Sequence, residues 1–136
     1  MCPFADSTFF VALINKNDDH HSRAQEIFVD IFYGKIERPE TNDYVLDETV
    51  TTVRTRTKRH EDAVKAMNMI LNTKHVDYVK VTDAEIRSAA AEYSRYRDKD
   101  LSFTDWVIVS YLRRKGITWI IAFDKHFDQM GFKRLC

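Results

Sequence analysis

Apolar positions along the chain alternate between short dense runs and helical spacing. The opening "CPFADSTFFVALINKNDDHH" breaks an apolar start at Asp6 and Ser7, then resumes with Phe9, Phe10, Leu13 and Ile14 on one helical side. It predicts a short strand to about Ala5 and a helix begun at Asp6 or Ser7. A second helix runs from about Ser22 to Tyr33, with Ala24, Ile27, Phe28 and Ile31 on its apolar face and Gly34 as its stop. "IERPET" leaves room for a short strand only. The next helix takes Asn42 or Asp43 as cap and carries Leu46, Val50 and Val53 inward.

"HEDAVKAMNMILNTK" places Ala63, Ala66, Met67, Ile70 and Leu71 on one stripe, and "VDYVKV" alternates as a strand. Thr82 and Glu85 form a capping box before a further helix, as do Ser102 and Asp105 before another, which Gly116 ends. "ITWIIAF" is apolar throughout, as a strand buried on both faces is, and Asp124 follows it. "KHFDQM" then predicts a short helix and "FKRLC" an edge strand. Strands separated by helical segments predict an α/β fold, a parallel sheet with helices on both faces.

A length of 136 residues fits one domain, residues 1–136, with one sizeable core. Only 3 Gly and 2 Pro leave little material for linkers. Lys plus Arg balance Asp plus Glu at 21 each, so a nucleic-acid partner would be held by a local patch and not by an overall field. Cys2 and Cys136 form neither a zinc spacing nor a disulfide framework, which suits a reducing compartment. No run approaches the ~20 apolar residues of a membrane span, and the start lacks the regions of a signal peptide; a cytoplasmic location is expected.

In an open parallel sheet, ligands bind beyond the carboxyl ends of the strands, where acids just after strands or in the first turn of helices converge. Asp6, Asp105 and Asp124 occupy such positions, and they meet only if the first strand and "ITWIIAF" are neighbours. Each also has an ordinary role as a cap or turn residue, compatible with binding a cation. Crowded carboxylates favour a hard divalent ion such as Mg²⁺ or Mn²⁺, which polarises a phosphodiester and lowers the pKa of an attacking water. A fourth acid is available from Asp47 or Glu48, about 100° apart on a helix, and the pattern alone leaves both open.

Four segments, "FADSTFFVAL", "TNDYVLDETVTTV", "LSFTDWVIVSYLRRKGI" and "IIAFDKHFDQMGF", together span nearly the whole chain. In order and spacing the sequence resembles the PIN-domain ribonucleases, most closely the VapC-type toxins of toxin–antitoxin pairs. The resemblance implies a three-layer α/β/α fold with about five mostly parallel strands and assigns the acidic metal ligands and catalytic residues to Asp6, Glu48, Asp105 and Asp124, choosing Glu48 over Asp47. It implies Ser7, Thr8, Ser102 and Thr104 as supporting hydroxyls, Mg²⁺ or Mn²⁺ as cofactor, and RNA hydrolysis to a 5′-phosphate and a 3′-hydroxyl. It further implies a homodimer and a small antitoxin covering the cleft. Two departures stand out: Ala5 where a larger apolar residue is frequent, and Trp106 after the third acid, where its bulk would narrow the site.

"RTRTKRH" carries four positive charges without an acid, and Arg54, Arg56 and Lys58 are candidate phosphate contacts or, equally, a solvated helix end. "RRK" at 113–115 fits the helix-end role. His20 and His21 read as exposed turn residues and His126 as an exposed residue of the closing helix, with a substrate contact as its alternative. Tyr44, Tyr93, Tyr96, Trp106, Tyr111 and Trp119 read as core and helix-interface residues. Competing functions are an inactive PIN-like module that binds RNA or protein, an RNA-processing nuclease outside a toxin–antitoxin pair, and a phosphotransfer enzyme with Asp6 as nucleophile. The last requires an acid two residues on, where Thr8 stands.

Overall fold

A computed structural model of the chain describes residues 2–135. Cys136 lies outside the described residues, and with it any pairing to Cys2. Five strands form one sheet in the order β3-β2-β1-β4-β5: β1 (Phe4–Ala5), β2 (Glu40–Asn42), β3 (Asp77–Val79), β4 (Trp119–Ile121) and β5 (Lys133–Arg134). All pairings are parallel, with Phe4 opposite Glu40 on one side and Ile120 on the other. Phe4, Ala5, Ile120 and Ile121 are completely buried, which explains why these segments are apolar throughout and do not alternate.

Between the strands lie α1 (Ser7–Ile14), α2 (His21–Phe32), α3 (Asp43–Thr57), α4 (His60–Leu71), α5 (Asp83–Arg95) and α6 (Phe103–Lys115), with a 3₁₀ helix at Lys125–Met130. α1 packs on α2, α3 and α4, whereas α5 pairs with α6. The order reverses at β1, so right-handed crossovers put these two helical groups on opposite faces of the sheet. The result is the three-layer α/β/α arrangement.

Local chemistry sets the helix starts that matter. Asn42, not Asp43, caps α3, its side chain accepting from the Val45 N–H at 2.9 Å. Thr82 and Ser102 both make complete capping boxes, and Gly116 ends α6 at φ 70°, a left-handed conformation that costs glycine least. Two inward faces differ from expectation. On α3 the buried stripe is Val45, Thr49 and Val53, with Leu46 and Val50 only partly covered. Leu71 is exposed at the end of α4, whereas Tyr93 on α5, though exposed on one side, meets the Phe103 ring of α6 at 6.1 Å and so holds the helix-interface place expected of it. Trp106 points into the core, stacked on Tyr96 with ring centroids 5.4 Å apart, so it does not narrow the site.

Candidate active site

β1 and β4 are adjacent, and the chain leaves them in opposite directions, so the crevice beyond their carboxyl ends is the switch point of the sheet. Asp6 leaves β1 there as the N-cap of α1, and its backbone N–H donates to the Ile121 carbonyl at 3.0 Å. Its side chain is almost wholly buried. Oδ2 accepts from the Thr8 hydroxyl at 3.0 Å, while Oδ1 is buried without a hydrogen-bond partner. Burial first, then the charges of Asp105 and Glu48, push the Asp6 carboxyl up to about 7.

Glu48, in the second turn of α3, accepts a hydrogen bond from the Ser7 hydroxyl. Asp105 sits in the first turn of α6: Oδ2 accepts from the Ser102 N–H at 3.0 Å, and its own N–H donates to Ser102 Oγ at 3.1 Å. Burial raises its pKa, and the Ser102 hydrogen bonds and the charge of His126 counter that rise. Asp124 caps the 3₁₀ helix by accepting from the His126 N–H at 3.0 Å. That turn brings the His126 ring between two acids, with Nδ1 3.3 Å from both Asp105 Oδ2 and Asp124 Oδ1. The helix is anchored by the buried Phe127.

Asp6, Glu48, Asp105 and Asp124 are thus brought to one place, and Ser7, Thr8 and Ser102 each bond to one of these acids. Thr104 lies in the wall of a neighbouring cleft with Asp47 and Glu48. The basic tract divides. Arg56 lines a cleft of about 380 Å³ shared with Glu48 and Asp124. Arg54 lines a different groove, between α3 and α4, and Lys58 is the exposed left-handed C-cap of α3. His21 is held by Nδ1 2.7 Å from the Ala12 carbonyl oxygen.

Two features exceed the sequence reading. His126 is partly covered and bridges acids; its spacing of two from a capping Asp was the available signal. His20 stacks face to face on Phe123 and lines the same cleft as the acids, a pairing of distant segments that no local pattern announces.

Among the described residues no three His, Cys, Asp or Glu side chains already close on one point as a metal cage. Mg²⁺ does not require one, since it keeps several waters and is held by one or two carboxylates. The orphaned, buried Asp6 Oδ1 and an all-oxygen set of acids fit such an ion.

A doubly wound α/β domain with carboxylates gathered at its switch point is suited to holding a hard cation against a phosphate group. A family model for the PIN domain matches residues 4–133. The chain belongs to the PIN-domain family, among its VapC-type ribonucleases, a class of metal-dependent nucleases. Over 130 residues, 95% of this chain and 94% of the relative, it is 32% identical to the 23S rRNA-specific endonuclease VapC20 of Mycobacterium tuberculosis, in each of two strains. The crystal structure of that VapC20, described as a sarcin–ricin loop cleaving toxin, superposes with a TM-score of 0.84 over 95% of each chain at 29% identity. The VapBC2 structure from Rickettsia felis, bound to a promoter DNA fragment, shares the fold at a TM-score of 0.67 and 14% identity, covering 99% of this chain and 98% of that one.

Proposed function

We propose that this chain is a Mg²⁺- or Mn²⁺-dependent endoribonuclease acting as the toxin of a toxin–antitoxin pair, with a structured ribosomal RNA loop as its substrate. What supports this reading is the gathering of Asp6, Glu48, Asp105 and Asp124 at the switch point, with one buried Asp6 oxygen left without a hydrogen-bond partner, in a chain 32% identical to a 23S rRNA-specific endonuclease. Asp6, Glu48, Asp105 and Asp124 would hold the ion. When bound, it neutralises these acids, polarises the phosphodiester and makes water a competent nucleophile near neutral pH. Ser7 and Thr8 fix the Glu48 and Asp6 carboxylates from one helix start, and Ser102 fixes Asp105 from another, so three acids are oriented before RNA arrives. Arg56 would hold a phosphate on the cleft wall. The products would carry a 5′-phosphate and a 3′-hydroxyl.

The test is cleavage of ribosomal RNA by the purified chain with Mg²⁺ or Mn²⁺. Asp6→Asn and Asp105→Asn are expected to lose at least ~100-fold in rate, as loss of a group stabilising transition-state charge does, while circular dichroism shows both folded. Full activity in either folded variant rejects the site. Intact metal-free binding of RNA without cleavage in any metal favours an inactive binding module instead.

The remaining expectations share this proposal. Residues 1–136 act as one unit, in the cytoplasm, where ribosomal RNA is found. A second copy makes a homodimer, for which Val29, Phe32 and Tyr33, exposed along α2 and its end, offer apolar surface. A small antitoxin with a basic side chain would cover the acids. Among the described residues no helix is long and apolar enough to cross a membrane.

A further inference from the structure

Resting on the nuclease reading above, the geometry points to a nucleobase subsite: we infer that the stacked His20–Phe123 pair is a platform for an unpaired RNA base beside the scissile phosphate. The two rings are parallel within 1°, with centroids 4.5 Å apart, and both line the cleft that Glu48 and Asp124 border. Phe123 is half-buried, whereas His20 is exposed. The platform is tied to the acids by a short chain of bonds. The Phe123 N–H donates to Thr8 Oγ1 at 3.0 Å, and that hydroxyl donates to Asp6 Oδ2 at 3.0 Å. The backbone of His20 is held from the other side, its main-chain N–H donating to Asp18 Oδ1 at 2.9 Å.

Charge alone would hold RNA poorly here. The chain is neutral, the cleft is bordered by acids, and among the described residues lining it Arg56 is the one arginine or lysine. Stacking needs no cation and accepts any base, because every base has a π-face. It does need that face uncovered, which selects a loop or bulge nucleotide over a paired one. The imidazole makes no side-chain cap bond to α2, so it can be replaced without removing a helix start.

Wild type, His20→Ala and His20→Tyr are compared on an RNA hairpin carrying 2-aminopurine, moved in turn through each unpaired loop position. Binding is followed by fluorescence with the metal withheld, and cleavage with Mn²⁺ supplied. Wild type and His20→Tyr are expected to quench the probe at one position. His20→Ala loses the quench and raises KM about 5- to 150-fold, the range that stacking one base on an aromatic ring is worth, with kcat little changed. A merely structural role would not be rescued by Tyr and would move the melting temperature instead.

Equal KM and quenching in His20→Ala, failure of His20→Tyr to rescue, or RNA binding without quenching at any position overturns the subsite, as does absence of RNA binding. If wild type quenches the probe, His20→Ala does not, and neither ever cleaves, the nuclease reading fails and the base-stacking platform stands. If it cleaves and His20→Ala is indistinguishable from it, the reverse holds.

Discussion

With its side chain out of water and Glu48 and Asp105 close by, Asp6 holds a proton in the folded chain up to about pH 7. An unfolded Asp releases its proton near pH ~3.9. The folded state therefore binds more protons in between. Stability from this group is complete below about pH 4 and is lost as pH rises towards about 7. Asp105, raised mainly by burial, adds a slope of the same sign. The metal-free melting temperature should fall across this window, and Asp6→Asn should flatten the fall. Added Mg²⁺ or Mn²⁺ should stabilise the wild type far more at the top of the window than below it, because only ionised acids bind the ion. A metal-free melting curve independent of pH would contradict the burial of an acid pair.

At the start of α6 one motif serves two purposes. Ser102 and Asp105 satisfy each other's backbone N–H groups, and the bond from the Ser102 N–H fixes the Asp105 carboxylate in the cleft. Ser102→Ala should cost about 1 kcal/mol in chemical denaturation, the usual worth of a cap. It should also lower kcat, since the loosened first turn no longer fixes Asp105, and Ser102→Thr should restore both. Caps of this kind were legible because each depends on residues within one turn. The inward face of α3 was not. Its buried stripe, Val45, Thr49 and Val53, lies one residue, about 100°, from the Leu46 and Val50 that hydrophobicity favours. There Val53 meets Val11 and Ile14 of α1 and Ala66 of α4 in a small apolar cluster. Thr49 is fully buried with its hydroxyl unpaired, so tight helix approach outweighed the preference for the larger apolar residue.

Zero net charge leaves RNA attraction to individual side chains. Arg56 lines the cleft with the acids, whereas Arg54 lines the groove between α3 and α4. Arg56→Ala should weaken RNA binding and reduce the slope of log affinity against log salt by about 1. Arg54→Ala should leave both unchanged. Equal effects of the two, measured by filter binding over a salt series, would mean that the tract acts only through diffuse charge. By itself the sequence determined the succession of strands and helices, the capping boxes at Thr82 and Ser102, and the placing of acids after strands, while it left the α1 start between Asp6 and Ser7 and the α3 cap between Asn42 and Asp43. Each of these follows from side-chain period or from hydrogen bonds spanning a few residues. Tertiary structure decided which strands are neighbours, and so that Asp6 shares a crevice with Asp105 and Asp124. It also decided which face of α3 turns inward and that His20 meets Phe123. Those outcomes come from the close packing of segments far apart in the chain, where shape and burial across the whole core select the arrangement and local pattern carries no record of it.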